Sequence, residues 1–257
     1  MTAAPILPAP ERLGLISEID PDRPETWQER VFLTLDIDWA NDSVIAESID
    51  LVESHELRAT WFITHATPML DRLRANPRFE IGIHPNFNWL LDGDFRNGAD
   101  AGEVVDRLLA LVPEARSVRS HAMTQSSNLM ALFRDKGLTH DANHFIPEQT
   151  GIELKPWRHW WQMVKAPYFW EDDVYCLSDA NSTMAELAGR PGLKIFDFHP
   201  IHLFLNTESM DRYEDARPDL ADPAALEGRR NREGPGARTL LIDLLKALSA
   251  IEDGGAA

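Results

Sequence analysis

The chain has 257 residues, 44% apolar and 26% charged, with a formal net charge of −17 and one cysteine, Cys176. That acidic balance argues against nucleic acid or an anionic membrane held through a basic face, and a lone cysteine excludes an internal disulfide and a thiolate-ligated metal cluster. No apolar run reaches the roughly 18 residues of a membrane span, and "MTAAPILPAPERLG" lacks the basic start and apolar core of a secretory signal, so a cytoplasmic protein with no membrane insertion is expected.

Residues 1–30 hold several prolines and no period, and read as an N-terminal arm with one short helix. From Val31 the pattern becomes repeated strand-then-helix units. "VFLTLDID" predicts a strand. "DSVIAESIDLVESHEL" predicts an amphipathic helix, with Ile45, Ile49, Leu51 and Val52 on one side and Asp42–Ser43 available to cap it. "RATWFITH" and "FEIGIH" predict the next two strands, with the short helix "PMLDRLRAN" between them. "AGEVVDRLLALVP" is a helix, "ARSVRSH" a fourth strand, "SSNLMALFRDKG" a helix ending in glycine, and "LTHDAN" a fifth strand. "WQMVKAPY" reads as a sixth strand, "STMAELAGRPG" as a helix and "LKIFDFH" as a seventh strand. Residues 207–238 are charged and rich in Pro and Gly, and suggest a long, partly disordered surface excursion. "TLLIDLLKALSAI" closes the chain as a helix before a frayed tail, "EDGGAA".

Strands alternating with helices imply a parallel sheet. Seven units in roughly 210 residues suit an incomplete barrel. The expected fold is therefore α/β: a distorted, TIM-like (β/α)7 barrel, forming a single domain over residues 31–257.

Polar groups recur at the C-terminal ends of these strands, the edge where parallel α/β folds bind ligands. Asp36 and Asp38 end the first strand, Thr64 and His65 the second, His84 the third. Arg119, Ser120 and His121 end the fourth, Asp141 and Asn143 the fifth, and His199 the seventh, with His202 just after. Seven of the nine histidines lie at or near these ends. The period of two places Asp36 with Asp38, Arg119 with His121, and Asp197 with His199 on common faces. Carboxylate and imidazole together suit Zn²⁺, Co²⁺, Mn²⁺ or Fe²⁺. Such an ion, with an open position, activates water and polarises a carbonyl.

With these residues in place, the chain resembles the NodB-type polysaccharide deacetylases of carbohydrate esterase family 4, over about residues 31–205, and within them a divergent WbmS-like branch encoded among surface-polysaccharide biosynthesis genes. The resemblance implies a (β/α)7 barrel that uses a divalent metal to remove N-acetyl groups from sugars. "TLDIDW" resembles the first motif, implying Asp36 as general base and Asp38 as metal ligand. "ATWFITH" is similar to the second strand, with His65 in a glycine place. "EIGIH" resembles a His-x-x-x-His motif, implying His84 as ligand, with Asn88 standing where the second histidine is expected. "VRSHA" is similar to Arg-x-Pro-Tyr, implying that Arg119 orients the base, with His121 replacing the proline. "FWEDD" resembles the motif whose aromatic and acid residues wall the site and hold the arginine, implying those roles for Trp170 and for Asp172 or Asp173. "IFDFHP" implies His199 as general acid.

His121, His65 and His202 compete to complete the ligand shell. His121 is favoured because it shares a face with Arg119, and Asn88 and His65 stand behind it. Trp39, Trp89 and Trp170 offer stacking surfaces, and Asn86, Asp172 and His202 are further substrate-side candidates. "PWRHWWQM" reads as a sugar platform or as packing. Two other functions stay open: hydrolysis of a small cyclic amide or imide, and carbohydrate binding without catalysis after loss of tight metal binding.

Overall fold

Val31–Asp36 is a strand (β2) in which every residue is buried, as expected of a parallel strand covered on both faces. It is preceded by Leu13–Gly14 (β1) and followed by Ala59–Ile63 (β3), Phe79–Ile83 (β4), Ser117–Val118 (β5), His140–Asp141 (β6), Trp157–Arg158 (β7), Val164–Lys165 (β8), Trp170–Glu171 (β9) and Lys194–Phe198 (β10). The computed structural model describes residues 12–177 and 182–253.

The strands form one sheet in the order β7-β8-β6-β5-β4-β3-β2-β10-β9, with β1 added beside β2. All pairings are parallel except β7 with β8. The sheet curls into a distorted (β/α) barrel, with Phe32 and Phe62 on the face of Asp36 and with Trp61, Phe196 and Phe198 on the opposite face, all fully buried. The seven expected strands are present. β1, β7 and β9 are additional, each two residues long like β5, β6 and β8.

The outer helices are Asp42–Ser54 (α1), Met69–Ala75 (α2), Asn88–Leu91 (α3), Ala101–Leu111 (α4), Ser127–Asp135 (α5), Asp172–Leu177 (α6), Met184–Gly189 (α7), Pro200–Leu205 (α8), Met210–Ala216 (α9), Pro223–Glu227 (α10) and Ala237–Asp253 (α11). Asn41, not Asp42–Ser43, caps α1, accepting the N–H groups of Ser43 and Val44. Among the described residues, no helix is long and apolar enough to cross a membrane.

Two stretches are more ordered than their composition suggests. The described part of the arm is a strand followed by two 3-10 turns. It crosses the N-terminal ends of the strands: the Ile16 N–H donates to Thr60 Oγ1, the Ser17 N–H to Glu80 Oε2, and His140 Nε2 meets the Ile19 carbonyl. Gly14 permits this approach, because a Cβ there would lie 2.4 Å from the Phe32 ring. The 207–238 excursion holds α9, α10 and a 3-10 turn. Its charges have partners: Arg230 and Arg238 both pair with Glu47 of α1, and the Arg230 guanidinium lies 3.7 Å from the Phe204 ring centre.

Candidate active site

The first strand stops at Asp36, two residues earlier than the alternation predicts. Asp38 and Trp39 then take left-handed backbone angles, with φ of 35° and 55°. Two consecutive non-glycine residues in that region are strained, and such strain persists only where surrounding contacts hold it. The turn, rather than the pleat, brings Asp38 back beside Asp36.

Three donor atoms converge there. His84 Nε2 lies 3.2 Å from Asp38 Oδ1, His121 Nδ1 lies 3.4 Å from the same oxygen, and the two ring nitrogens are 3.3 Å apart. Zinc–ligand bonds of about 2.0–2.1 Å in a tetrahedron set donor atoms about 3.3 Å apart, so the triangle has the dimensions of one face of such a shell. Asp38 Oδ1 is buried and no hydrogen bond of ordinary geometry reaches it, although both imidazoles lie close. Burial opposes ionisation of Asp38, but the imidazoles of His121 and His84 outweigh it and hold the carboxyl well below its usual range. Burial likewise opposes charging of His84, and Asp36 and Asp38 overcome it, raising His84. An uncompensated carboxylate oxygen between two imidazole nitrogens fits a divalent cation.

Asp36 stands behind the triangle, 2% exposed. Its Oδ2 lies 3.2 Å from His84 Nδ1, and Arg119 Nη1 donates to its Oδ1 at 3.1 Å. Metal-binding histidines commonly aim the other ring nitrogen at a carboxylate in this way. Arg119 is buried over the rings of Tyr168 and Phe62 and pairs with Asp197 as well as Asp36. Burial disfavours its charge, yet Asp197 and Asp36 raise its pKa. Asp197 accepts the Thr34 hydroxyl at 2.6 Å. Burial and the nearby Asp36 outweigh Arg119 and push Asp197 up to about 7.

The opposite wall is built by β9 and β10. His199 Nδ1 lies 2.7 Å from Asp172 Oδ1, and the His199 backbone N–H donates to Asp172 Oδ2 at 2.9 Å. Both oxygens of this fully buried carboxylate thus serve one histidine. They leave His199 Nε2 facing the cavity, 3.8 Å from Asp38 Oδ2 and 3.9 Å from Glu171 Oε1. Burial opposes charging of His199, but Asp172 raises it well above the ordinary imidazole value. Tyr168 donates to Glu171 at 3.0 Å. Burial, then Asp173 and Asp197, push Glu171 well above the usual carboxylate range. The cavity between the walls has a volume of about 210 Å³.

The structure thus brings together Asp36, Asp38, His84, Arg119, His121 and His199. Other residues marked in the sequence lie elsewhere. Asp172, expected to touch substrate or, with Asp173 as the alternative, to hold the arginine, is sealed behind His199, whereas Asp173 lines the cavity. Asp36 and Asp197 hold the arginine. Trp170 is 2% exposed and packs on Phe196 and Phe198, so it offers no sugar surface. His202 is buried against Thr207, with its ring 5.6 Å from that of His199. His65 lies outside the triangle, with Nδ1 on Thr64, in a small neighbouring cavity that it lines with Trp39, Asn86 and Arg107. Asn88 opens α3, and its N–H donates to Asn86 Oδ1. Neither Asn88 nor Asn86 lines the main cavity. Trp39 is 44% exposed, edge-on to His121. Trp89 lies under the Arg96 guanidinium. Trp160 and Trp161 of "PWRHWWQM" line a cavity with Gly137–Thr139, ahead of β6 and so at the far end of the barrel. Sequence reasoning missed Thr34, Tyr168 and Glu171 as parts of the site. Thr34 shares the period of Asp36, and Glu171 sits inside "FWEDD".

A family model described as WbmS-like polysaccharide deacetylase matches residues 33–217. A Bordetella bronchiseptica structure, named for a polysaccharide deacetylase involved in O-antigen biosynthesis, is 45% identical. The match covers 91% of this chain and 97% of that one, with a TM-score of 0.85. A family 4 carbohydrate esterase from Streptomyces lividans, in complex with acetate, is 12% identical over 87% of this chain and 88% of its own, with a TM-score of 0.47. No protein of curated function matches the chain. With the family model spanning every motif from β2 to α9 and a 45% identical relative aligned over nearly its whole length, the chain belongs to the WbmS-like polysaccharide deacetylase family.

Proposed function

We propose that this protein is a metal-dependent amidohydrolase that removes an N-acetyl group from a sugar intermediate of surface-polysaccharide synthesis, in the cytoplasm. The observation that carries this reading is the triangle of Asp38 Oδ1, His84 Nε2 and His121 Nδ1, facing His199 Nε2 across one cavity. The name of the 45% identical relative supports the substrate class.

Asp38, His84 and His121 would hold the cation. Zn²⁺ suits the donor set best, and Co²⁺, Mn²⁺ and Fe²⁺ also accept it. A divalent ion there supplies Lewis acidity toward an amide carbonyl. The chain's own groups supply the protons. Asp36 Oδ2 retains a lone pair beyond the one facing His84 Nδ1, and with it takes a proton from the attacking water. Arg119 fixes the Asp36 carboxylate. As the C–N bond breaks, His199 Nε2–H gives its proton to the departing nitrogen, so the amine leaves neutral. Asp172 accepts the Nδ1–H and raises the pKa of the ring, so His199 stays doubly protonated and carries the Nε2 proton toward the cavity. Trp39, exposed at the rim, offers a face for the sugar ring.

The test is metal analysis of the protein from unsupplemented cells, joined to acetate release from UDP-N-acetylglucosamine and from N-acetylated oligosaccharides. One equivalent of metal, acetate release abolished by a chelator, and an Asp36→Asn variant that keeps the metal but loses turnover are expected. Absence of metal, with no uptake of added Zn²⁺ or Co²⁺, overturns the reading in favour of carbohydrate binding alone. Hydrolysis of hydantoin-type cyclic amides without acetate release overturns the substrate class.

A further inference from the structure

We propose that the buried chain Lys165–Asp141–Asn143 is a positioning device that aims His121 into the donor triangle. It rests on the metal-dependent reading of the site, and it assigns a role to the polar end of β6 that the mechanism does not use.

Lys165, Asp141 and Asn143 are 1%, 0% and 0% exposed, and none of them lines the cavity. Lys165 Nζ donates to Asp141 Oδ2 at 2.7 Å. Asp141 Oδ1 accepts both the backbone N–H and the side-chain Nδ2 of Asn143, at 2.9 and 2.8 Å. These bonds fix the amide so that Asn143 Oδ1 accepts the Ser120 N–H at 2.7 Å. The ladder between neighbouring strands reaches Arg119 N–H on Ile83 O and Ala142 N–H on Val118 O, and then stops. Beyond that point the Asn143 side chain replaces a strand as the partner of Ser120. On the other side, the His121 N–H donates to the carbonyl of Pro85, the residue after His84. The backbone leading into His121 is thus clamped from both flanks, one of them by the chain that carries His84.

The clamp has something to oppose. Ala122 and Met123 both take φ of 53°, a region that non-glycine side chains occupy only when neighbours impose it. A buried Lys–Asp pair is poor evidence of stabilisation in itself, since desolvation offsets most of its attraction. Here it locks an asparagine whose remaining acceptor reaches the segment carrying a metal donor. Such supports behind ligands typically change metal affinity by about 10–100-fold.

The test is Co²⁺ titration of the metal-free full-length protein, followed by the visible d–d absorption, at a temperature well below unfolding. Asn143→Ala is expected to weaken Co²⁺ binding about 10–100-fold and to change the absorption envelope. Asn143→Ser keeps a polar group but is too short to reach Ser120, and should behave the same; it carries the test if the alanine variant does not fold. Added to His121→Ala, either substitution should cause no further loss, because its effect runs through His121. Unchanged Co²⁺ affinity in a folded Asn143 variant, or an equal loss with and without His121, overturns the proposal. A wild-type protein that takes up no Co²⁺ overturns the metal reading itself, so the two failures are distinct.

Discussion

The two walls of the cavity use the same residue types and leave them in opposite states. On the β2–β5 wall, Asp38 presents an oxygen that two imidazole nitrogens approach and none bonds with good geometry. On the β9–β10 wall, Asp172 has both oxygens committed to His199, one through the ring and one through the backbone. In the proposed reading, an aspartate and a histidine would therefore hold a cation in one place and orient a proton donor in the other. What separates them is how many donors the carboxylate already has.

The largest effect expected from breaking this contrast is on the metal wall. Asp38→Ala removes the anionic donor and leaves two imidazoles. Both bound metal and acetate release should fall to background, by at least about 10³-fold in turnover. Metal content and activity measured on the same sample check this, and normal metal content would place the cation elsewhere. On the proton wall, Asp172→Asn should leave metal content intact. It should lower kcat by about 10²-fold, within the range of a lost general acid. The pH profile gives the sign. Asp172 raises His199, so the wild-type acid stays protonated through neutral pH and activity falls only on the alkaline side. In the asparagine variant that alkaline limb should move to lower pH. A variant that loses metal but keeps its alkaline limb would reverse the assignment of the two walls.

The metal wall was the more legible of the two in the sequence. Asp36, Asp38, His84 and His121 close the predicted strands with recognisable motifs, and strand ends in a parallel sheet share one edge. The proton wall was only half legible. His199 follows a clear strand, but β9 is two residues long, and nothing in "FWEDD" says which acid faces inward. Trp170 and Asp172 lie behind that wall, while Asp173, the other acid of the motif, lines the cavity. A two-residue strand fixes side-chain direction through its neighbours, not through a period. The ordering of residues 207–238 was hidden similarly, because the partners of Arg230 and Arg238 lie almost 200 positions away on α1.

The smallest effect compares two carboxylates, one on each wall. The imidazoles hold Asp38 low, while burial and Asp36 push Asp197 up to about 7. The two therefore contribute to stability with opposite dependence on pH. Asp38 stabilises the metal-free protein above its unfolded value near 3.8, and that contribution is lost only as the pH falls below it. Asp197 binds its proton more tightly folded than unfolded. Its contribution is complete below about 3.8 and is lost as the pH rises through about 7. Asp197→Asn mimics the protonated form. Its amide oxygen can still accept from Thr34 and Arg119, and its NH₂ would occupy the place of Oδ2, which has no hydrogen-bond partner to lose. Urea midpoints of the metal-free proteins at pH 5 and pH 8 test this. The substitution should stabilise more at pH 8 than at pH 5, by an amount set by the roughly two pKa units between pH 5 and the folded value of about 7. Greater destabilisation at pH 8 than at pH 5 would mean that Arg119 needs both carboxylates charged, and the difference between the walls would then lie in their donors alone and not in their charge.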